Sequence, residues 1–221
     1  MRSRTFAHLF LFVLLATASA FASAKVLVLQ PSIHALNRMQ ILTAEALADD
    51  EQARAAWHDG NSAQVTFYVG RVQTLVQLIR SRMPAAEFHA MLRAIYAVIN
   101  FEDNKQVLAL FPRLFHSLDD LPQIAPTLQA RAALLQARKD LRKPNRAAAL
   151  RALSRADNAF NNPYLTPPLK NTEHDLQATT KSLIIGNNLM AASNLSKLAT
   201  ALMNLHHALA TYPFDISPPQ P

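Results

Sequence analysis

From residue 60 to residue 202 the chain carries one apolar pattern over and over, on a stride of about 42 residues and at helical spacing. Val65, Val107, Ala149 and Ala191 fall in one column, and Val69, Phe111, Leu153 and Leu195 in the next. Val72, Leu114, Ala156 and Leu198 follow, then Val76, Leu118, Phe160 and Leu202. Within each segment the steps are i, i+4, i+7 and i+11, which line one face of an α-helix. Turn signals keep the same stride: HDGN at 58–61, FEDN at 101–104, RKPN at 142–145 and IGNN at 185–188. Trp57, Ile99, Leu141 and Leu183 align just ahead of those turns, and Pro84, Pro126 and Pro168 mark a second set of breaks between them. The pattern predicts an all-α fold of antiparallel helical hairpins, at about 33–82, 84–121, 126–161 and 167–210. No hairpin can bury its stripe alone, so the hairpins are expected to stack in sequence, as a bundle or a short α-solenoid. Pro112, inside LALFPRLF, removes a backbone donor and predicts a kink or restart in the second hairpin.

Composition narrows the chemistry. Half of the 221 residues are apolar, enough for one helical domain over 25–211 rather than a disordered chain. Cysteine is absent, which excludes disulfides, thiolate metal sites and thiol nucleophiles. Three glycines are too few for glycine-rich phosphate loops or turn-dense β-sandwiches. Residues 1–24 have a basic start (Arg2, Arg4), an apolar run from Phe6 to Ala16 and small residues at Ala22 and Ala24. That order predicts a signal peptide, cleaved after Ala24 or alternatively after Ala20. The run is shorter than the roughly 20 residues a spanning helix needs, so no stable membrane insertion is expected after cleavage. The mature protein is expected to be periplasmic or secreted. Losing Arg2 and Arg4 takes the formal charge from +7 to +5. Export sets nucleic acid aside as a partner, and the densest basic stretch, RKDLRKPNR at 138–146, reads as a solvated helix end. The segment 212–221, YPFDISPPQP, reads as an extended, Pro-rich, frayed tail.

The stretch NNPYLTPPLKNTEHDL, residues 161–176, puts three prolines between the third and fourth hairpins. Pro163 ends the preceding helix, Thr166 reads as an N-cap and Pro167 as the first helical position. Tyr164 and Leu165 are expected to tuck into the seam between helices. Two segments here carry a likeness to known proteins. ARAAWHDGN, with Ala53, Arg54, Ala56, Gly60 and Asn61, resembles the A-R-x-A and G-D turn near the start of YfdX-family proteins, with Asn61 where the family often has Asp. From Ala149 to His207 the chain resembles that family's C-terminal part, a helix, a Tyr-Leu-x-Pro-Leu elbow and a long helical hairpin. The elbow here is Tyr164, Leu165, Thr166, Pro167, Pro168 and Leu169, one residue longer than the pattern. The resemblance implies an exported, all-helical bacterial protein linked with acid and stress resistance. It brings no catalytic residue with it.

Seven histidines remain after the leader, and their full protonation would move the formal charge from +5 to +12. His58, His174, His206 and His207 are the candidate pH-responsive set. His206 and His207 point about 100° apart on a helix and do not chelate as i, i+4 pairs do. No metal ligands or cofactor are therefore assigned. Glu173 and Asp175 in TEHD read as carboxylates favoured by a helix N-terminus, and Asp49/Asp50 and Asp119/Asp120 as charges at helix ends. No G-x-S-x-G, H-E-x-x-H or supported S-x-x-K frame occurs, and no catalytic residue is assigned. The expectation is an exported, non-enzymatic helical scaffold or binding protein, tied to acid or envelope stress, with protein clients or self-association as partners. The alternative is a periplasmic carrier holding a small molecule or metal in an inter-helix cavity.

Overall fold

The computed structural model describes residues 28–143 and 145–213. The expected leader, Pro144 and the tail beyond residue 213 lie outside the described residues. The described chain is all-α, with no strand among the described residues. In chain order the helices are α1 (Ile33–His58), α2 (Ser62–Ser81), α3 (Ala86–Val98), α4 (Asn104–Leu108), α5 (Phe111–Asp119), α6 (Ala125–Leu141), α7 (Arg146–Asn158), α8 (Thr166–Ile184) and α9 (Asn188–Ala210).

Local chemistry explains the boundaries. Ser32 Oγ accepts from the Ala35 amide at 3.1 Å and opens α1. Gly60, at φ +71°, lets the chain turn out of α1, and the Asn61 side chain then caps α2 through the Gln64 amide. The same pair recurs at the far end of the chain. Gly186, at φ +67°, closes α8, and Asn187 caps α9 through the Met190 amide. Asp103 and Gln106 form a reciprocal capping box on α4. Pro112 acts as expected: α4 stops at Leu108 and α5 starts at Phe111, with the proline in its first turn.

The sixteen positions of the four apolar columns are all buried. Their packing, however, does not follow chain order. α1 packs on α2, α2 on α8, α8 on α9, and α9 back on α1, so the first and last helices close a four-membered ring. Gln40 near the start of α1 donates to the Leu209 carbonyl near the end of α9 at 2.9 Å, and Arg80 at the end of α2 pairs with Glu173 in α8. Neighbours around the ring therefore run antiparallel. Residues 85–160 form an insert with its own core, in which α6 packs on α5 and α7, and α3 on α5 and α7. A serial stack would leave the apolar faces of the first and last hairpins open at its two ends. Pairing them with each other buries both. The expectation of stacking in sequence is corrected accordingly.

Four local expectations also change. Asp49 and Asp50 are not at a helix end; they sit inside the 26-residue α1 and are buried, because that helix runs unbroken to His58. Thr166 is inside α8 rather than capping it, and its hydroxyl accepts from the Asn162 amide at 2.9 Å instead. Tyr212 does not belong to a frayed tail. It is buried against the ring core, and its hydroxyl accepts from Asn162 Nδ2 at 2.8 Å. Within the basic stretch, Arg146 is not merely solvated: it donates to Glu102 O and Asn104 Oδ1 at 2.8 Å and ties the α6–α7 turn to the start of α4.

A candidate ligand-binding cavity between the two cores

Where the ring meets the insert, the chain leaves a cavity of about 230 Å³. Four segments converge on it: the end of α2 with the Pro84 bend, one face of α3, the end of α7 with the 161–162 elbow, and the first half of α8. The elbow is held by Asn162, whose Oδ1 accepts from the Tyr164 and Leu165 amides at 3.0 and 3.1 Å. Leu165 is thereby pinned in the ring core, as expected for the seam. Tyr164 is not: it is 54% exposed, its ring edge-on to Tyr212.

Met83, Leu92, Phe160 and Leu169 give the cavity apolar walls. Phe160 is fixed by edge-to-face contacts with Phe88 and His89, at 5.1 and 6.2 Å between centroids. Among these walls stand Arg80, Arg93, Lys170, His89, Asp157, Glu173 and Tyr96. His89 Nδ1 lies 2.8 Å from Asp157 Oδ1, and this hydrogen bond, ahead of the opposing burial, holds the Asp157 carboxyl below its ordinary range. Arg80 pairs with Glu173; burial nevertheless outweighs the nearby cations and keeps the Glu173 carboxyl above its ordinary range. Tyr96 is pushed up to about 12, by burial first and by the Asp157 charge second. Arg93 is pushed down by burial and by the neighbouring charge of Arg80. Arg93 and Lys170 form no side-chain hydrogen bond or close ion pair among the described residues, but both stand near enough to Asp157 and Glu173 to lower those carboxyls.

The residues singled out from sequence are dispersed. Ala53 and Ala56 pack in the ring core, while Arg54 bonds Asp50 at 2.9 Å. Gly60 and Asn61 form the α1–α2 turn, and Pro167 lies in the first turn of α8. Leu169 alone of that set lines the cavity. His58 and His174 are largely exposed, beside Asp59 and Asp175 respectively. His206 and His207 sit near the end of α9, with His206 Nδ1 buried and without a hydrogen bond. None of these four histidines reaches the cavity. Glu173 is two turns into α8, beyond reach of the terminal dipole, and its role is the pairing with Arg80.

The cavity residues missed from sequence are Arg80, His89, Arg93, Asp157 and Lys170. They come from four segments between residues 80 and 170, with no motif spacing to join them. The usable signal was the elbow itself, since the stretch 161–176 supplies Asn161, Asn162, Thr166, Leu169, Lys170 and Glu173 to the lining. The groups present can hold a small molecule between apolar walls and fix one polar end of it. Among the described residues no cluster of three or more His, Asp or Glu stands in metal-holding geometry. Compared with protein-family models, curated proteins and solved structures, the chain matches none.

Proposed function

We propose that the protein is an exported, non-enzymatic binding protein of the YfdX type, and that it carries a small molecule in the cavity between ring and insert. The reading rests on the cavity of about 230 Å³, which combines apolar walls with several convergent charged side chains. Its organisation as four hairpins on a stride of about 42 residues belongs to the same proposal. The buried columns and the recurrent glycine-asparagine turns support that organisation. Export rests on the order of basic, apolar and small residues in 1–24. The mature chain is then expected to start at Lys25, or at Phe21 for the alternative cleavage.

Native mass spectrometry of protein purified from the periplasm, without denaturation, tests the carrier reading. A retained small-molecule adduct is expected, and it should be lost in Ala86→Trp, which places an indole into the cavity from the first turn of α3. An adduct that survives Ala86→Trp, or the absence of any adduct in the wild type, counts against it.

A second reading, self-association or protein clients, draws on the tip of the α8–α9 turn. There Ile184, Ile185, Leu189 and Met190 stand largely in solvent around Gly186. Sedimentation at pH 7 and pH 5 tests it: a change in oligomeric state is expected, and superimposable profiles remove it.

A further inference from the structure

Resting on the carrier reading, we infer that the cavity takes a small organic carboxylate with a single-ring apolar body, its carboxylate clamped by Arg93 and Lys170. Volume limits the apolar part of the ligand. An enclosed apolar space of about 150 Å³ is enough to hold benzene. At about 230 Å³ this cavity has room for one ring and a short polar substituent, well under the 300–1,000 Å³ of sites for larger ligands. Phe160 and Leu92 form its inner wall, both almost fully buried, so a ring placed against them loses water contact on that side.

Charge limits its polar part. The lining brings Arg80, Arg93 and Lys170 together with only two carboxylates. Both carboxylates are already engaged, Glu173 by Arg80 and Asp157 by His89. Arg93 and Lys170, on α3 and α8, line the same cavity and act on Asp157 and Glu173 only through space, with no hydrogen bond to either. Arg80 and Arg93 repel each other, and this neighbour is the second cause, after burial, of the lowered pKa of Arg93; Glu173 and Asp157 offset it only in part, which leaves the lining one cation in excess of its carboxylates. A carboxylate accepts a bidentate bond from arginine, which lysine can supplement as a point charge. A neutral ligand would leave the excess positive charge of the lining unanswered. A bare inorganic anion would leave the apolar walls unused and give up its own hydration for little return.

The probes are benzoate, its neutral isostere benzamide, and inorganic phosphate, titrated calorimetrically into the full mature protein at pH 7. Benzoate is expected to bind at least tenfold more tightly than either of the others. Arg93→Gln and Lys170→Gln should each weaken benzoate about tenfold and leave benzamide unchanged, with thermal melts confirming that both variants fold. Equal affinity for benzoate and benzamide would overturn the carboxylate assignment while leaving an apolar carrier site intact. Phosphate binding as tightly as benzoate would overturn the organic class. If none of the three binds, this inference fails, and the adduct seen by native mass spectrometry decides the carrier reading separately.

Discussion

The ring and the insert reach a buried core by different means. In the ring, long helices meet over many turns, and leucine, valine and alanine share the interior with polar groups: Thr43, Asp49, Asp50, Thr172, Thr179, Ser182 and Asn194 are all buried there. The threonines are satisfied within their own helices, as Thr43 to Met39 O at 2.7 Å and Thr179 to Asp175 O at 2.8 Å show. The carboxylates are not. Asp49 Oδ2 makes an ion-pair contact with Arg71 Nε at 3.1 Å that is not a well-aligned hydrogen bond, and Asp50 Oδ1 is buried with no partner. The insert, built mostly from shorter helices, buries fewer polar groups. Its core is led by Phe88 and Phe111, and its buried polar side chains, Ser117 and Thr127, bond nearby carbonyls at 2.9 and 2.7 Å. Around the two phenylalanines the helices meet on small side chains, with Ala130, Ala133 and Ala137 of α6 and Ala149, Ala152 and Ala156 of α7 all buried. The difference puts the buried phenylalanines in the insert and the unsatisfied buried carboxylates in the ring.

The largest expected effect tests the first half of that contrast. Phe111→Ala empties the middle of the insert core, where the ring of Phe111 is 1% exposed, and should cost about 3–5 kcal/mol in urea denaturation. Trp57 lies against the ring core, so its fluorescence follows the ring while far-UV circular dichroism follows both parts. If the variant shifts the dichroism but not the fluorescence, the two cores unfold separately. A loss below about 1 kcal/mol would mean that the insert is not packed around this side chain.

Asp50 tests the second half. Burial, only partly offset by Arg54, pushes its carboxyl up to about 6 from the ordinary 3.8. A carboxyl raised in the folded state binds its proton more tightly there than in the unfolded chain. Its contribution is therefore most favourable below about pH 4 and is lost as pH rises through about 6. At about 1.4 kcal/mol per unit, the penalty carried at pH 7 is roughly 3 kcal/mol at most. Asp50→Asn keeps an acceptor for Arg54 and should be about 1–3 kcal/mol more stable than wild type at pH 7, the gap closing toward pH 4. A gap that stays constant with pH would place the Asp50 titration elsewhere. Asp157 acts with the opposite sign. Its lowered carboxyl stabilises above the ordinary range, and that stability is lost as pH falls through its folded value. Comparing Asp50→Asn with wild type at each pH separates the two.

How much of this was legible beforehand follows from the distance between interacting residues. The helices and their buried faces were readable because periodicity and turn residues are local signals, and Gly60, Asn61, Gly186 and Asn187 each act on their immediate neighbours. Ring closure was not readable. Valine and leucine columns state that a face is buried and are silent about which face covers it, so α9 on α1 and α6 on α7 look alike in sequence. The cavity was hidden for the same reason, since the His89–Asp157 bond joins residues 68 apart. Asp49 and Asp50 were misplaced because an adjacent acidic pair is far commoner on helix surfaces and ends than inside a core.

The elbow joins the two cores, and Asn162 is its fastening. That side chain is 1% exposed and serves three partners: it accepts from two amides of the bend and donates to the Tyr212 hydroxyl. Asn162→Ala leaves buried amides unpaired and should cost about 1–3 kcal/mol. Tyr212→Phe keeps the bend and removes the hydroxyl that links it to the end of α9, so it should cost about 1 kcal/mol. Equal losses in the two variants would mean that the Tyr212 link, not the bend, sets the position of the elbow.

On the opposite wall the chain turns from ring to insert through Met83, Pro84 and Ala85, and here the expected effect is smallest but its sign is informative. Ala85 has φ +58°, in the left-handed region where a Cβ is crowded, and it provides no side-chain cap for α3. The conformation persists because Ala85 is buried against the insert core while the proline before it restricts the approach. Glycine at this position removes the steric cost of about 1 kcal/mol and adds some freedom to the unfolded chain. The net expectation for Ala85→Gly is a gain of about 0.5 kcal/mol in stability. A gain means that the bend is imposed on residue 85 by the packing of its neighbours. A loss would mean that the buried methyl contributes more than the backbone strain takes away, and the junction would then count as part of the insert's core instead of a constrained hinge between two unlike halves.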